Sequence, residues 1–170
     1  MGSFYIQNKK RYHAGTIGSI GSISFNGNKI ITSAGGGTIL TNDKKIQKKI
    51  TYLSNQAKDD DINFVHNEIG YNYRLSNVHA AIGLAQIEKL RKIISLKKRI
   101  NNIYKENIKK IDGLSIMPIP PYSKSNYWIN ILKIDKNYKY SKNNLLKKLI
   151  SQNIEARSIW YPNHLQKPYK

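Results

Sequence analysis

The sequence predicts an α/β chain, and three patterns carry that prediction. Short alternating or β-branched runs, such as Ser22-Ile23-Ser24-Phe25 and Thr38-Ile39-Leu40-Thr41, read as strands. Other stretches space their apolar residues at i, i+4 and i+7, the rhythm of a helix with one buried face. A change of character after Leu114, marked by Pro118, Pro120 and Pro121, sets off a further mixed α+β piece.

Taken in order, residues 1–17 hold two short strand-like pieces around a basic turn. After the strand at 22–25, Asn26-Gly27-Asn28 supplies turn chemistry, since Asn and Gly tolerate positive φ most readily. Lys29 follows the turn, ahead of a β-branched run, Ile30-Ile31-Thr32, expected to be a second strand. Gly35, Gly36 and Gly37 then allow close approach of a neighbour or ligand. Asn42-Asp43 can cap a helix with Ile46, Ile50 and Leu53 on one face and Lys44, Lys45, Lys48 and Lys49 on the other. Asp59-Asp60-Asp61 reads as a solvated loop, because three adjacent carboxylates cannot all face one ion.

Residues 63–75 form an aromatic-rich connector pivoting at Gly70. Ser76 can cap a long helix reaching to about Ile111, with Ile87, Leu90, Ile94, Asn101, Tyr104, Ile108 and Ile111 in a largely i+3/i+4 rhythm. The small residues Ala80, Ala81, Gly83 and Ala85 permit close packing of its first turns. At ~1.5 Å per residue such a helix is about 50 Å long, too long for one small core, so it is expected to bridge two domains. Gly113 stands in a C-cap position. Beyond the prolines, Tyr127 to Ile134 reads as a strand and Leu145, Leu146, Leu149 and Ile150 as one helix face. Ile154 to Trp160 reads as a further strand, and residues 161–164 as a loop. The expected division is 1–94 and 95–170.

Composition narrows the class. A chain of 170 residues can bury a core, and with no cysteine it has neither a disulfide framework nor a thiolate metal site. No run approaches the ~20 apolar residues of a membrane span, and the N-terminus has no signal-like apolar core, so a soluble cytoplasmic protein is expected. The net charge of +19 invites a nucleic-acid reading. Against it, the basic residues are spread along the chain, and Lys, Ile, Asn and Tyr are abundant together, as a biased composition produces. A polyanionic substrate would also benefit from such a field.

The chemistry concentrates around Lys29. A lysine fixed on a turn can be desolvated, lose its proton and attack a carbonyl to form an imine. By residue type alone, the alternative is surface decoration, with the glycines marking an ordinary loop. The string decides between them. Gly21-Ser22-Ile23-Ser24-Phe25-Asn26-Gly27-Asn28-Lys29-Ile30-Ile31-Thr32, closing on Gly36-Gly37, resembles the cofactor-lysine motif of the DegT-type sugar aminotransferases. Ala34 departs from it where a glycine is common. Asn63 to Leu75, with His66-Asn67-Glu68-Ile69-Gly70-Tyr71-Asn72-Tyr73-Arg74, resembles the wording of nucleotide-sugar aminotransferases of bacillosamine and legionaminic acid pathways. Trp160-Tyr161-Pro162-Asn163-His164-Leu165-Gln166 resembles an active-site loop of the same family.

The resemblance implies an α/β fold type I enzyme, here the C-terminal part of the large domain (1–94) and an incomplete small α+β domain (95–170). It implies pyridoxal 5'-phosphate (PLP) held by Lys29, with Ser24 and Asn72 contacting the cofactor phosphate. Asn72 would act on the partner's cofactor across a homodimer with shared sites. Arg74 would offer its fork to a substrate phosphate, and His66 and His164 would also contact the substrate. The implied reaction moves an amino group from L-glutamate to a 4-keto-6-deoxy nucleotide sugar, for surface polysaccharide or glycoprotein glycan biosynthesis. Lysine at position 29, where some relatives carry histidine and dehydrate, favours transamination. On this resemblance the chain begins in mid-domain, without the aspartate that pairs with the cofactor's pyridine nitrogen, and stops short of the helices that finish the small domain. Two alternatives stand beside it: an inactive structural fragment that needs a separate N-terminal half, and a basic nucleic-acid binder.

Overall fold

The computed structural model describes residues 1–169. Its elements run β1 (Phe4–Gln7), β2 (Lys10–His13), β3 (Gly21–Ser24), β4 (Gly37–Leu40), α1 (Lys44–Ser54), β5 (Lys58–Asp60) and β6 (Val65–His66). They continue α2 (Asn77–Glu88), α3 (Leu90–Ile108), β7 (Leu114–Ile116), β8 (Ser123–Lys124), β9 (Leu132–Ile134) and α4 (Lys142–Ser151), with two 3₁₀ turns at Asn163–Leu165 and Lys167–Tyr169. Two compact units divide the chain: residues 1–99 with 119–128, and residues 100–118 with 129 onward. Helix α3 is shared between them.

In the first unit, β1 and β2 form an antiparallel hairpin from Phe4↔His13 to Gln7↔Lys10. Asn8 and Lys9 turn it with φ of 49° and 61°, the twist that matches a two-residue hairpin. Strand β8 joins the free edge of β1, giving the order β2-β1-β8. Strands β3 and β4 pair antiparallel from Gly21↔Leu40 to Ser24↔Gly37. Helix α1 begins where its cap was expected, with Asp43 accepting from the amides of Lys45 (2.7 Å) and Ile46 (3.2 Å). Ser76 caps α2 by accepting from the His79 amide. The buried apolar residues of this unit include Ile23, Ile30, Ile31 and Ala57. Among the described residues no helix is long and apolar enough to cross a membrane.

In the second unit, β7 and β9 pair antiparallel from Leu114↔Ile134 to Ile116↔Leu132. Leu114 is buried, and so is Asn101 of α3, whose side-chain Nδ2 donates to Asn130 Oδ1 (2.8 Å). Helix α4 is capped by Ser141 and turns Leu145, Leu146 and Leu149 inward, leaving Ile150 exposed.

Four local expectations need correction. The long helix is interrupted at Lys89, whose amide bonds the Gln86 carbonyl three residues back (3.1 Å) and tightens the turn. It ends at Ile108, so Gly113 (φ 79°) caps no helix and instead turns the chain into β7. The strand expected at 127–134 is only Leu132–Ile134. Ser125 Oγ and Asn126 Oδ1 accept from the amides of Tyr127 (2.9 Å) and Trp128 (3.0 Å), taking donors a ladder would need. Residues 154–160 are not a strand either: they lie in no sheet.

Candidate active site

Lys29 sits on the loop of residues 25–36 that joins β3 to β4. The loop is closed at its base by the Phe25 amide donating to the Gly36 carbonyl (3.0 Å). Inside it, the Phe25 carbonyl accepts from both the Ser33 amide (3.0 Å) and the Thr32 hydroxyl (2.9 Å). The Thr32 hydroxyl in turn accepts from the Ala34 amide (2.9 Å). These local bonds explain why Ile30-Ile31-Thr32 is not the strand its β-branching suggests: side chain and backbone satisfy each other within the loop. Ile30 and Ile31 plug the loop into the core, and Ser33 is fully buried.

That plug fixes Lys29 from one side, and a turn fixes it from the other. The Lys29 amide donates to the Asn26 carbonyl (3.0 Å), so Asn26-Gly27-Asn28 turns as its residue types predict. The lysine is half-buried, and its Nζ stands 4.3 Å from the centre of the Trp128 ring. The same indole donates Nε1–H to the Asn28 carbonyl (2.5 Å). The amine is therefore held against an aromatic face and is not swept by solvent. Ser24 ends β3 five residues earlier, exposed, and its hydroxyl accepts from the Asn26 amide (3.3 Å). Ala34 adopts φ 69°, a left-handed conformation that accounts for the preference for glycine there.

The segment before α2 is brought to this loop by two contacts. A Cβ on Gly36 would lie 2.5 Å from Leu75 Cδ1, and one on Gly83 of α2 would lie 3.3 Å from the Ser33 side chain. The small residues at these positions let the chain just after Arg74, and the middle of α2, close onto the lysine loop. Asn72 forms an isolated antiparallel bridge with Asn55. The register is held by Tyr71 N to Leu53 O (2.8 Å), Gln56 N to Tyr71 O (3.1 Å) and Tyr73 N to Ser54 O (3.0 Å). Tyr71 and Tyr73 stack with ring centres 5.0 Å apart, and both remain exposed, as do Asn72 and Arg74. His66 is placed differently from a free substrate contact: its Nδ1 lies 2.8 Å from the Gln56 carbonyl, so one ring nitrogen braces that turn. His164 belongs to the second unit, exposed on the 3₁₀ turn Asn163–Leu165.

The acidic run is more than a solvated loop. Asp60 accepts from the amides of Ile62 (2.7 Å) and Asn63 (2.9 Å), and Asp59 from the Asn67 amide (2.7 Å) and the Tyr52 hydroxyl (2.9 Å). The Asn67 amide bond, chiefly, holds the Asp59 carboxyl below the usual range, and that of Asn63 does the same for Asp60. Desolvation, then the bond to Asp59, pushes the Tyr52 hydroxyl up to about 12. Among the described residues no group of three His, Cys, Asp or Glu side chains could hold a metal.

Trp128 is the residue at this site that its own sequence context does not reveal. Lying in an aromatic and β-branched run, it reads as a strand residue, and no spacing rule ties it to a lysine so far away in the chain.

Comparison with known proteins identifies the family and the fold. Residues 2–170 match the DegT/DnrJ/EryC1/StrS aminotransferase family. EpsN of Bacillus subtilis, provisionally described as a pyridoxal phosphate-dependent aminotransferase, is 40% identical over 92% of this chain and 40% of its own length. GDP-perosamine synthase of Escherichia coli O157:H7 is 38% identical over 94% of this chain and 43% of its own. The crystal structure of a GDP-4-keto-6-deoxymannose-3-dehydratase, with a trapped PLP-glutamate geminal diamine, superposes with a TM-score of 0.78 at 26% identity. It covers 92% of this chain and 44% of that one. The chain thus spans about two fifths of the length of the curated relatives it matches. Its fold is part of the α/β fold type I aminotransferase architecture. The chain belongs to the DegT/DnrJ/EryC1/StrS aminotransferase family.

Proposed function

We propose that this chain carries the cofactor lysine of a PLP-dependent sugar aminotransferase, and that Lys29 is that residue. The observation that carries the reading is the placement of the Lys29 amine: half-buried, on a loop locked by its own hydrogen bonds, and held against an aromatic face. The nearby groups suit the cofactor. Ser24 already accepts from the Asn26 amide, so its own hydroxyl proton can point to a phosphate oxygen. When bound, PLP supplies an aldehyde that captures amines and a ring that withdraws electrons from the bonds to be broken.

The chain's own residues do the rest. Lys29 Nζ would hold the cofactor, and its freed amine would carry the proton between the donor's Cα and the cofactor carbon. Asn72 and Arg74 lie exposed on a braced extended segment, and in this reading they reach the active site of a second copy. Asn72 contacts that copy's cofactor phosphate there, and Arg74 gives a bidentate grip to the substrate's phosphate. The assembly is then a homodimer with shared sites. His66 keeps only Nε2 for the sugar, and His164 is the other histidine that this reading assigns to the substrate. The amino donor is L-glutamate and the acceptor a 4-keto-6-deoxy nucleotide sugar. The names of the perosamine synthase and of the glutamate-bound dehydratase support that pair.

The half-reaction tests this. PLP-loaded protein mixed with glutamate should release 2-oxoglutarate stoichiometrically with bound cofactor, and Lys29→Ala should abolish that release. Equal release by the two proteins, at any level, counts against the proposal.

A further inference from the structure

We propose that Trp128 is a positioning residue for the Lys29 amine, clamping it with the indole face while the indole N–H holds the carbonyl of the preceding residue. The inference rests on the reading of Lys29 given above and adds a residue to it. Three observations meet at this indole. Its ring faces the Lys29 ammonium at 4.3 Å from the ring centre. Its Nε1 donates to the Asn28 carbonyl at 2.5 Å, bracing from outside the turn that Asn26 and Lys29 close from inside. Its own backbone is anchored: the Trp128 amide donates to Asn126 Oδ1 (3.0 Å). Asn126 is tied to the N-terminal strand region through Ser3 Oγ (3.2 Å) and the Met1 carbonyl (2.9 Å).

A lysine stem has four rotatable bonds, and a turn fixes only the first atoms of it. The aromatic face supplies what the turn cannot, a preferred place for the charged end. The N–H bond and the cation–π contact act on adjacent residues, so both the root and the tip of the lysine are referred to one rigid ring. Trp128 touches no reacting atom in this account; it sets where the amine waits.

The labelling uses the full chain with Trp160 in place; only the emission measurement uses a Trp160→Phe background, which leaves Trp128 as the one indole, since the sequence has two tryptophans. Protein is incubated with PLP, reduced with borohydride, and mapped for the share of label on Lys29 against the other lysines. Trp128→Leu should cut that share about fivefold, and Trp128→Phe, which keeps a ring but not the N–H, about twofold. Circular dichroism should be unchanged in both. Without PLP, Trp128 emission should shift on Lys29→Met, because the ammonium leaves the ring. The clamp is overturned if Lys29 labelling is the same in folded Trp128→Leu or Trp128→Phe protein, or if the emission ignores Lys29→Met. Failure of the parent chain to label Lys29 instead removes the cofactor reading, while the emission shift still decides whether the ring holds the amine. Should Trp128→Leu fail to fold, the Trp128→Phe share and the emission shift decide the matter.

Discussion

Gly70→Ala should destabilise the first unit by about 2 kcal/mol, and the magnitude follows from what the new methyl meets. A Cβ at residue 70 would stand 2.2 Å from Ala57 N and 2.3 Å from Gln56 C, both backbone atoms that cannot swing aside. Carbon contacts settle near 3.5–4.0 Å, so the two segments must part by roughly 1 Å. Parting them weakens Gln56 N to Tyr71 O and Tyr71 N to Leu53 O, and Tyr73 N to Ser54 O follows. Loss of the first two bonds, which flank residue 70 most closely, at about 1 kcal/mol each gives the estimate. The entropy alanine removes from the unfolded chain returns about 0.4–1 kcal/mol, and residual overlap offsets that return. Urea titration followed by circular dichroism reads the change, and amide exchange at Gln56 and Tyr71 should accelerate with it. Gly35→Ala is the control: no atom lies within 4 Å of its added Cβ, and it should be near neutral. A Gly70→Ala midpoint indistinguishable from the Gly35→Ala midpoint would refute the close-approach argument. With it would fall the account of how Asn72 and Arg74 are braced.

Two further outcomes follow from the same geometry. Ala34→Gly should stabilise by about 0.5–1 kcal/mol, because relief of a left-handed alanine, about 1–2 kcal/mol, exceeds the extra freedom glycine gives the unfolded chain; thermal melts of the two proteins check it. Asp59 and Asp60, held below the usual range, stabilise residues 58–67 above the ordinary aspartate value of about 4. That contribution is lost as pH falls through their lowered values, so amide protection of Asn63 and Asn67 should fail only on the acid side of that value. Tyr52 runs the other way: its contribution is present below about 10, the ordinary tyrosine value, and is lost as pH rises through about 12. An ultraviolet titration of phenolate absorbance should show one hydroxyl ionising later than the ordinary tyrosines.

The sequence was informative where a residue type has one local use. Asp43 and Ser76 cap helices because their short oxygens reach the free amides of a first turn, and the Asn26-Gly27-Asn28 turn forms where its chemistry says. The α/β class was legible from such local patterns, whereas the lysine motif was legible only as a whole string, since by residue type Lys29 could as well decorate the surface. It misled where β-branching was read as a strand without asking what would pair with it. Ile30 and Ile31 are buried, which their apolarity announces, yet Thr32 bonds within its own loop. Residues 154–160 have β-prone side chains and belong to no sheet. At Lys89 neither proline nor glycine marks the break; there the amide bonds back to Gln86, three residues away, and the helix is interrupted. Trp128 was the hardest case. Its role depends on a fold that returns it to Asn28 across 100 residues, and periodicity carries no such information.

The most direct test of the central claim is a tryptic map of PLP-treated, borohydride-reduced protein. Trypsin cuts after Arg11, Lys29 and Lys44, and a lysine carrying the reduced cofactor resists cleavage. The account predicts a labelled peptide spanning residues 12–44, uncut after Lys29 and absent from Lys29→Arg protein. Label scattered over the exposed lysines, with residues 12–29 recovered unmodified, would contradict it.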